Sequence, residues 1–186
     1  VTRGVQIVVA LLAAVVAADE PADGSRFVAG AGTGIGLGLA VGATLGAHLE
    51  AGVRFENASL AIEGHVAAAV PAHLKPATRS ATGAAIYGLA VACLLPGDVS
   101  ICAVGGGGFT RTWLGGIARP FAVNLPLALA GARLAYDIPL GDHWRFRMRL
   151  DVYFRLAQVQ LVVEGAQAWR SDLVAGAFGV GMVRTF

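Results

Sequence analysis

Apolar residues alternate with small or polar ones along most of the chain, the period-two pattern of strands with two unlike faces. From Arg26 to Leu39 the odd positions carry Phe27, Ala29, Ala31, Thr33, Ile35, Leu37 and Leu39, and the even ones from 30 to 38 are all glycine. One face is apolar and the other nearly bare. In a narrow barrel a bare face leaves room for bulky side chains from opposite strands. From Leu45 to Phe55, Leu45, Ala47, Leu49, Ala51, Val53 and Phe55 oppose Gly46, His48, Glu50, Gly52 and Arg54. Past a turn at Glu56-Asn57, Leu60, Ile62, Gly64, Val66 and Ala68 face out, while Ser59, Glu63 and His65 face in.

Further strands are predicted at about 84–95, 99–110, 125–138, 144–156 and 173–186. The segment 144–156 is the clearest. Trp144, Phe146, Met148, Leu150, Val152, Phe154 and Leu156 share one face, and Arg145, Arg147, Arg149, Asp151, Tyr153 and Arg155 the other. A helix would scatter these arginines round its surface, whereas a strand gathers them on one side. Arg133 and Asp137 share a face of the preceding strand.

The segments exceed the usual soluble strand of about five or six residues and suit the roughly 9–11 of a tilted bilayer crossing. Turns near 57, 97 and 141 are short. Polar loops are predicted at 71–83 and 111–124, and a long loop or hairpin extension at 157–172. The connection near 40–44 is a short exception. Short turns at one end and longer loops at the other are expected of a membrane barrel, and backbone groups in lipid require the sheet to close. The prediction is an all-β chain, an eight-stranded antiparallel up-and-down transmembrane β-barrel over 26–186.

Composition agrees. The hydrophobic fraction is 56% and the charged fraction only 14%, yet no stretch reaches the ~20 apolar residues of a membrane helix. The net charge of +2, with no basic run, leaves no expectation of nucleic-acid binding. Near the start, Arg3 precedes an apolar run from Val5 to Val16, with small residues at Ala17-Ala18. This reads as a signal peptide over 1–18, followed by a polar linker over 19–25.

The chain resembles the small outer-membrane β-barrels of Gram-negative bacteria, most closely those of the myxobacterial type. The resemblance rests on the glycine-alternating first strand, SLAIEGHV at 59–66, the Cys93–Cys102 hairpin, YDIPLGDHW at 136–144 and the ending FGVGMVRTF. It implies an outer-membrane location, a bilayer containing lipopolysaccharide, and handling by the barrel-assembly machinery. The signal read by that machinery would be Phe178, Val180, Met182 and Phe186. Arg184 interrupts the row and can snorkel to the headgroups.

Candidate chemistry is sparse. A two-residue turn at Gly97-Asp98 sets Cys93 opposite Cys102 at a non-hydrogen-bonded site, within disulfide reach. The turn at Glu56-Asn57 pairs Glu50 with Glu63 and His48 with His65. Two histidines and two carboxylates suit a divalent ion. The stronger expectation is a lumen charge network in which Arg54, Arg133, Arg145, Arg147, Arg149 and Arg155 balance Glu50, Glu63, Asp137 and Asp151 beside His48 and His65. No metal and no cofactor are expected. GAGTGIG at 30–36 mimics a dinucleotide-binding turn, but no helix pattern follows it. Ser59, Ser80, Ser100 and Ser171 lack the nucleophile-elbow pattern, and His143, His73 and Ser80 are placed too loosely to define a triad. The expected role is structural or surface-interacting, with a side-chain-filled lumen. The alternatives are a lipid-modifying enzyme of the outer leaflet, a narrow channel for small solutes, or a soluble lipocalin-like barrel with its apolar face inside.

Overall fold

The computed structural model describes residues 25–74, 79–115, 121–158, 160–163 and 166–186. The signal peptide expected at 1–18 and the linker expected at 19–25, apart from Ser25, lie outside them. The described strands are β1 (Arg26–Ala40), β2 (Gly42–Arg54), β3 (Ala58–Ala69), β4 (Ala72–Leu74), β5 (Arg79–Leu94), β6 (Val99–Gly115), β7 (Phe121–Pro139), β8 (Trp144–Arg155), β9 (Gln160–Val163), β10 (Ala166–Arg170) and β11 (Val174–Thr185).

Eight of these strands close a barrel. Neighbours run antiparallel through β1, β2, β3, β5, β6, β7, β8 and β11, and β11 pairs back onto β1. From partner to partner, the row leaving β6 at Arg111 returns to β6 at Ile101, ten residues lower. Ten residues of about 3.3 Å across eight spacings of about 4.8 Å give a strand tilt of about 40°.

The short connections at 55–57, 95–98 and 140–143 mark one rim, called here the turn end. The other rim, the loop end, departs from the sequence expectation at 71–83 and 111–124. The predicted loop at 71–83 is largely hairpin, with β4 paired to the start of β5. The predicted loop at 111–124 is mostly the continuation of β6 and β7, whose partners reach Leu114 and Phe121. Residues 157–172 hold the separate two-stranded hairpin β9–β10. Alanine, threonine and glycine in these stretches carry no alternating apolar signal, yet they continue the ladders.

The sides of the barrel follow the alternation. Ile35, Leu45, Leu49, Ile62, Leu134 and Leu150 are all more than half exposed on the outside. Phe27, Phe55, Tyr136, Trp144 and Phe186 ring the turn end, also facing out. The Arg184 guanidinium lies outside this ring, 5.6 Å from the Trp144 ring centroid and 4.8 Å from that of Phe186. So continuous an apolar belt is far larger than the patches soluble monomers expose. It inverts the lipocalin arrangement, which that alternative reading required.

One residue breaks the alternation. Leu39 was expected on the apolar outer face of β1 with Ile35 and Leu37, but it points inward and is 1% exposed. Gly38 has φ of 77°, a backbone state that side chains with a Cβ disfavour. Gly36 pairs with Thr44 but Ala40 pairs with Gly42, so β1 carries two extra residues there. The bulge turns the end of β1 into the mouth of the barrel, and Ala40 and Val41 are buried with Leu39.

Candidate functional site

The barrel interior is the candidate site. Its turn-end half is built from ionic rows laid against glycine. One register row reads Gly30, Glu50, Glu63, Leu89 and Gly106 across β1, β2, β3, β5 and β6. The row above it reads Gly32, His48, His65, Tyr87 and Gly108. The glycines make the space: a Cβ on Gly30 would meet Glu50 Oε1 at 2.6 Å, and one on Gly179 would meet Arg149 Nε at 2.8 Å. A Cβ on Gly32 would collide with the His48 ring. The bare face of β1 is therefore the wall against which the polar side chains of β2 lie, and Gly179 of β11 makes the same room for Arg149 of β8.

Those side chains pair across the lumen. Glu63 accepts from both terminal nitrogens of Arg133, Nη1 and Nη2, the second at 2.9 Å. It also accepts from Arg149 Nη1 at 3.1 Å and contacts His65 Nε2 at 2.8 Å. Asp151 accepts from Arg133 Nε at 2.5 Å and lies 3.7 Å from Arg149 Nε. Nearer the turn end, Arg147 donates to Asp137 from Nε at 2.7 Å and to Glu50 from Nη1 at 2.9 Å. Arg54 donates to Asp137 at 3.3 Å. These bonds join β2 and β3 to β7 and β8, on opposing walls of the barrel. Glu63, Arg133, Asp137 and Asp151 are almost completely buried. Ions removed from water in this way persist only when each has partners of good geometry.

The other residues named from the sequence fall as follows. His48 and His65 stack with ring centroids 5.4 Å apart, and His65 stacks on Tyr87 at 4.6 Å. Arg145 sits at the turn-end mouth, 3.8 Å from Asp98, an acid not included in the expected network. Arg155 is buried but joins no carboxylate among the described residues; its Nη2 donates to the Leu39 carbonyl at 3.2 Å. Cys93 and Cys102 are register partners and form a disulfide. Of the assembly-signal residues, Phe178 and Phe186 are exposed on the outside, and Val180 and Met182 are half-buried. The register sets His73 opposite Ser80 in the β4–β5 hairpin, where their side chains lie outside the described set. Of the residues weighed for a metal, Glu50 and Glu63 are drawn into arginine pairs and His48 and His65 into ring stacks, and among the described residues no three His, Cys, Asp or Glu converge on a metal position.

Sequence reasoning missed the contribution of Leu39, Tyr87 and Tyr153. Both tyrosines are buried in the lumen, and their inward phase was available from the alternation of β5 and β8.

A closed antiparallel barrel with an apolar outside and an ionic inside is an outer-membrane β-barrel, built to stand in a bilayer. Solved structures agree on that fold. The chain is similar to Neisserial surface protein A, with 12% identity, TM-score 0.53, and coverage of 90% of this chain and 100% of that one. It is also similar to the attachment invasion locus protein of Yersinia pestis, with 10% identity, TM-score 0.51 and coverage of 87% and 97%. A major outer membrane protein of Thermus thermophilus matches with 12% identity, TM-score 0.54 and coverage of 87% and 99%. No family model matches the chain, and no curated protein matches it.

Proposed function

We propose that this protein is a barrel of a Gram-negative outer membrane whose lumen is closed by its own side chains, and whose work is structural or surface-interacting. The observation that carries this reading is the lattice of Arg133, Arg147 and Arg149 with Glu50, Glu63, Asp137 and Asp151 across the lumen. An interior so crossed leaves no general solute path. Catalysis has no comparable support, since the buried carboxylates Glu50, Glu63, Asp137 and Asp151 are all spent on arginines.

The turn end would face the periplasm and the loop end the cell exterior. β7 has 19 residues, so at the tilt above it would extend about 20 Å beyond an apolar belt of about 25 Å. Surface contacts would then be made by the β4–β5, β6–β7 and β9–β10 extensions. Lipopolysaccharide would surround the outer half of the belt, and the barrel-assembly machinery would insert the chain.

Conductance of the refolded protein in planar bilayers tests the closed lumen. The expected result is no stable stepwise current, together with no swelling of protein-loaded liposomes in a disaccharide. A persistent open-channel current in the folded protein would overturn the reading in favour of a narrow channel.

A further inference from the structure

Among the described residues, Arg155 is the inward-facing charge that the ion-pair lattice leaves out. It is 3% exposed. Its Nη2 donates to the Leu39 carbonyl oxygen, while its buried Nε and Nη1 have no hydrogen-bond partner. Thr110 Oγ1 donates to the same carbonyl at 3.5 Å. Thr112, two residues further along the same inward face of β6, is 0% exposed, and its Oγ1 is also without a partner. Arg155 from β8 and Thr110 from β6 thus meet at one oxygen, with Thr112 on the loop-end side. The acid that acts electrostatically on Arg155 is Asp172, exposed beyond the barrel and outside ion-pair distance.

A buried guanidinium with unused donors and no carboxylate is costly unless an acceptor of negative charge reaches it. Apolar side chains, Leu39, Leu127 and Leu129, line this part of the lumen, and Tyr153 stands two residues from Arg155 on the same inward face of β8. With a single positive charge to balance, the complementary ligand carries a single negative charge. We propose that Arg155, assisted by the Thr112 hydroxyl, binds a small monovalent inorganic anion of the halide class at the loop end of the lumen. The site lies above the ion-pair lattice, so the inference stands apart from the closed-lumen reading. Binding is measured without conduction, and the failure of one leaves the other standing.

The probe is chloride, followed by its NMR linewidth with the refolded full chain in detergent micelles, folding being checked by heat-modifiable migration. Native protein is expected to broaden the chloride signal. Bromide should reverse the broadening, and gluconate at equal ionic strength should not. Arg155→Gln should weaken binding by about tenfold or more, and Thr112→Val by a few-fold. Arg145→Gln, at the opposite mouth, should leave binding unchanged. Equal broadening by native protein and Arg155→Gln would overturn the proposal. So would displacement of chloride by gluconate as readily as by bromide, or by sulfate better than by bromide. If Arg155→Gln does not fold, Thr112→Val and the competition series on native protein decide it, and unchanged affinity in Thr112→Val then counts against the site.

Discussion

The two halves of the lumen are filled by different means. Toward the turn end, carboxylates and arginines of facing strands interlock against a wall of glycine. Toward the loop end, Leu39, Leu127, Leu129 and Ala175 pack together, and Arg155 is bonded to the Leu39 carbonyl beside them. The ionic half draws on the flat alternation of β1, where the inward positions are bare. The apolar half draws on the end of that alternation at Gly38, where the strand itself turns inward. One strand therefore supplies both fillings, one by leaving space and the other by occupying it.

Breaking the ionic half should have the largest effect. Arg133 is the hub, pairing with both Glu63 and Asp151. Arg133→Met would leave two buried carboxylates short of a partner, at a cost of about 3–5 kcal/mol. Urea unfolding of the refolded barrel is the measurement. The double variant with Glu63→Gln should recover part of the loss, because the second change removes one stranded charge. Equal stability of native protein and Arg133→Met would show that water, not Arg133, satisfies those acids.

Leu39→Ala probes the apolar half. It removes a fully buried side chain from the loop-end cluster, and a loss of about 2–4 kcal/mol is expected. The two losses should add when combined with Arg133→Met, because Arg133 bonds to Glu63 and Asp151 whereas the Leu39 carbonyl accepts from Arg155 and Thr110, and distant sites behave independently. Strong non-additivity in unfolding would mean that the halves form one cooperative plug rather than two.

The contrast also explains what was legible in the sequence. Short turns fix register by counting, so the turn at 56–57 sufficed to pair Glu50 with Glu63 and His48 with His65, and the turn at 97–98 to pair the cysteines. Which arginine meets which acid was not legible. That choice depends on β2 and β3 facing β7 and β8 across a closed barrel, a consequence of strand number and stagger that no local window contains. Leu39 was misread because period-two reasoning assumes an unbroken strand, and a single left-handed glycine reverses the phase. The loop end was read as loop at 71–83 and 111–124, where the structure has paired strand. Alanine, threonine and glycine dilute the apolar alternation there while backbone pairing continues.

The smallest effect separates glycines that make space from glycines that merely occupy a strand. Gly32 faces the lumen, where an added Cβ would meet the His48 ring and the Val180 carbonyl. Gly64 faces outward, where an added Cβ would meet nothing within 4 Å. Gly32→Ala should therefore destabilise by about 1–3 kcal/mol through overpacking. Gly64→Ala should be neutral, or stabilise by about 0.4–1 kcal/mol, by restricting the unfolded chain. The same urea titration reads both, and the sign of the difference matters more than its size. If the two substitutions behaved alike, β1 would be glycine-rich for reasons of backbone geometry alone. A loss confined to Gly32→Ala would tie the bare face of β1 directly to the ionic filling it accommodates.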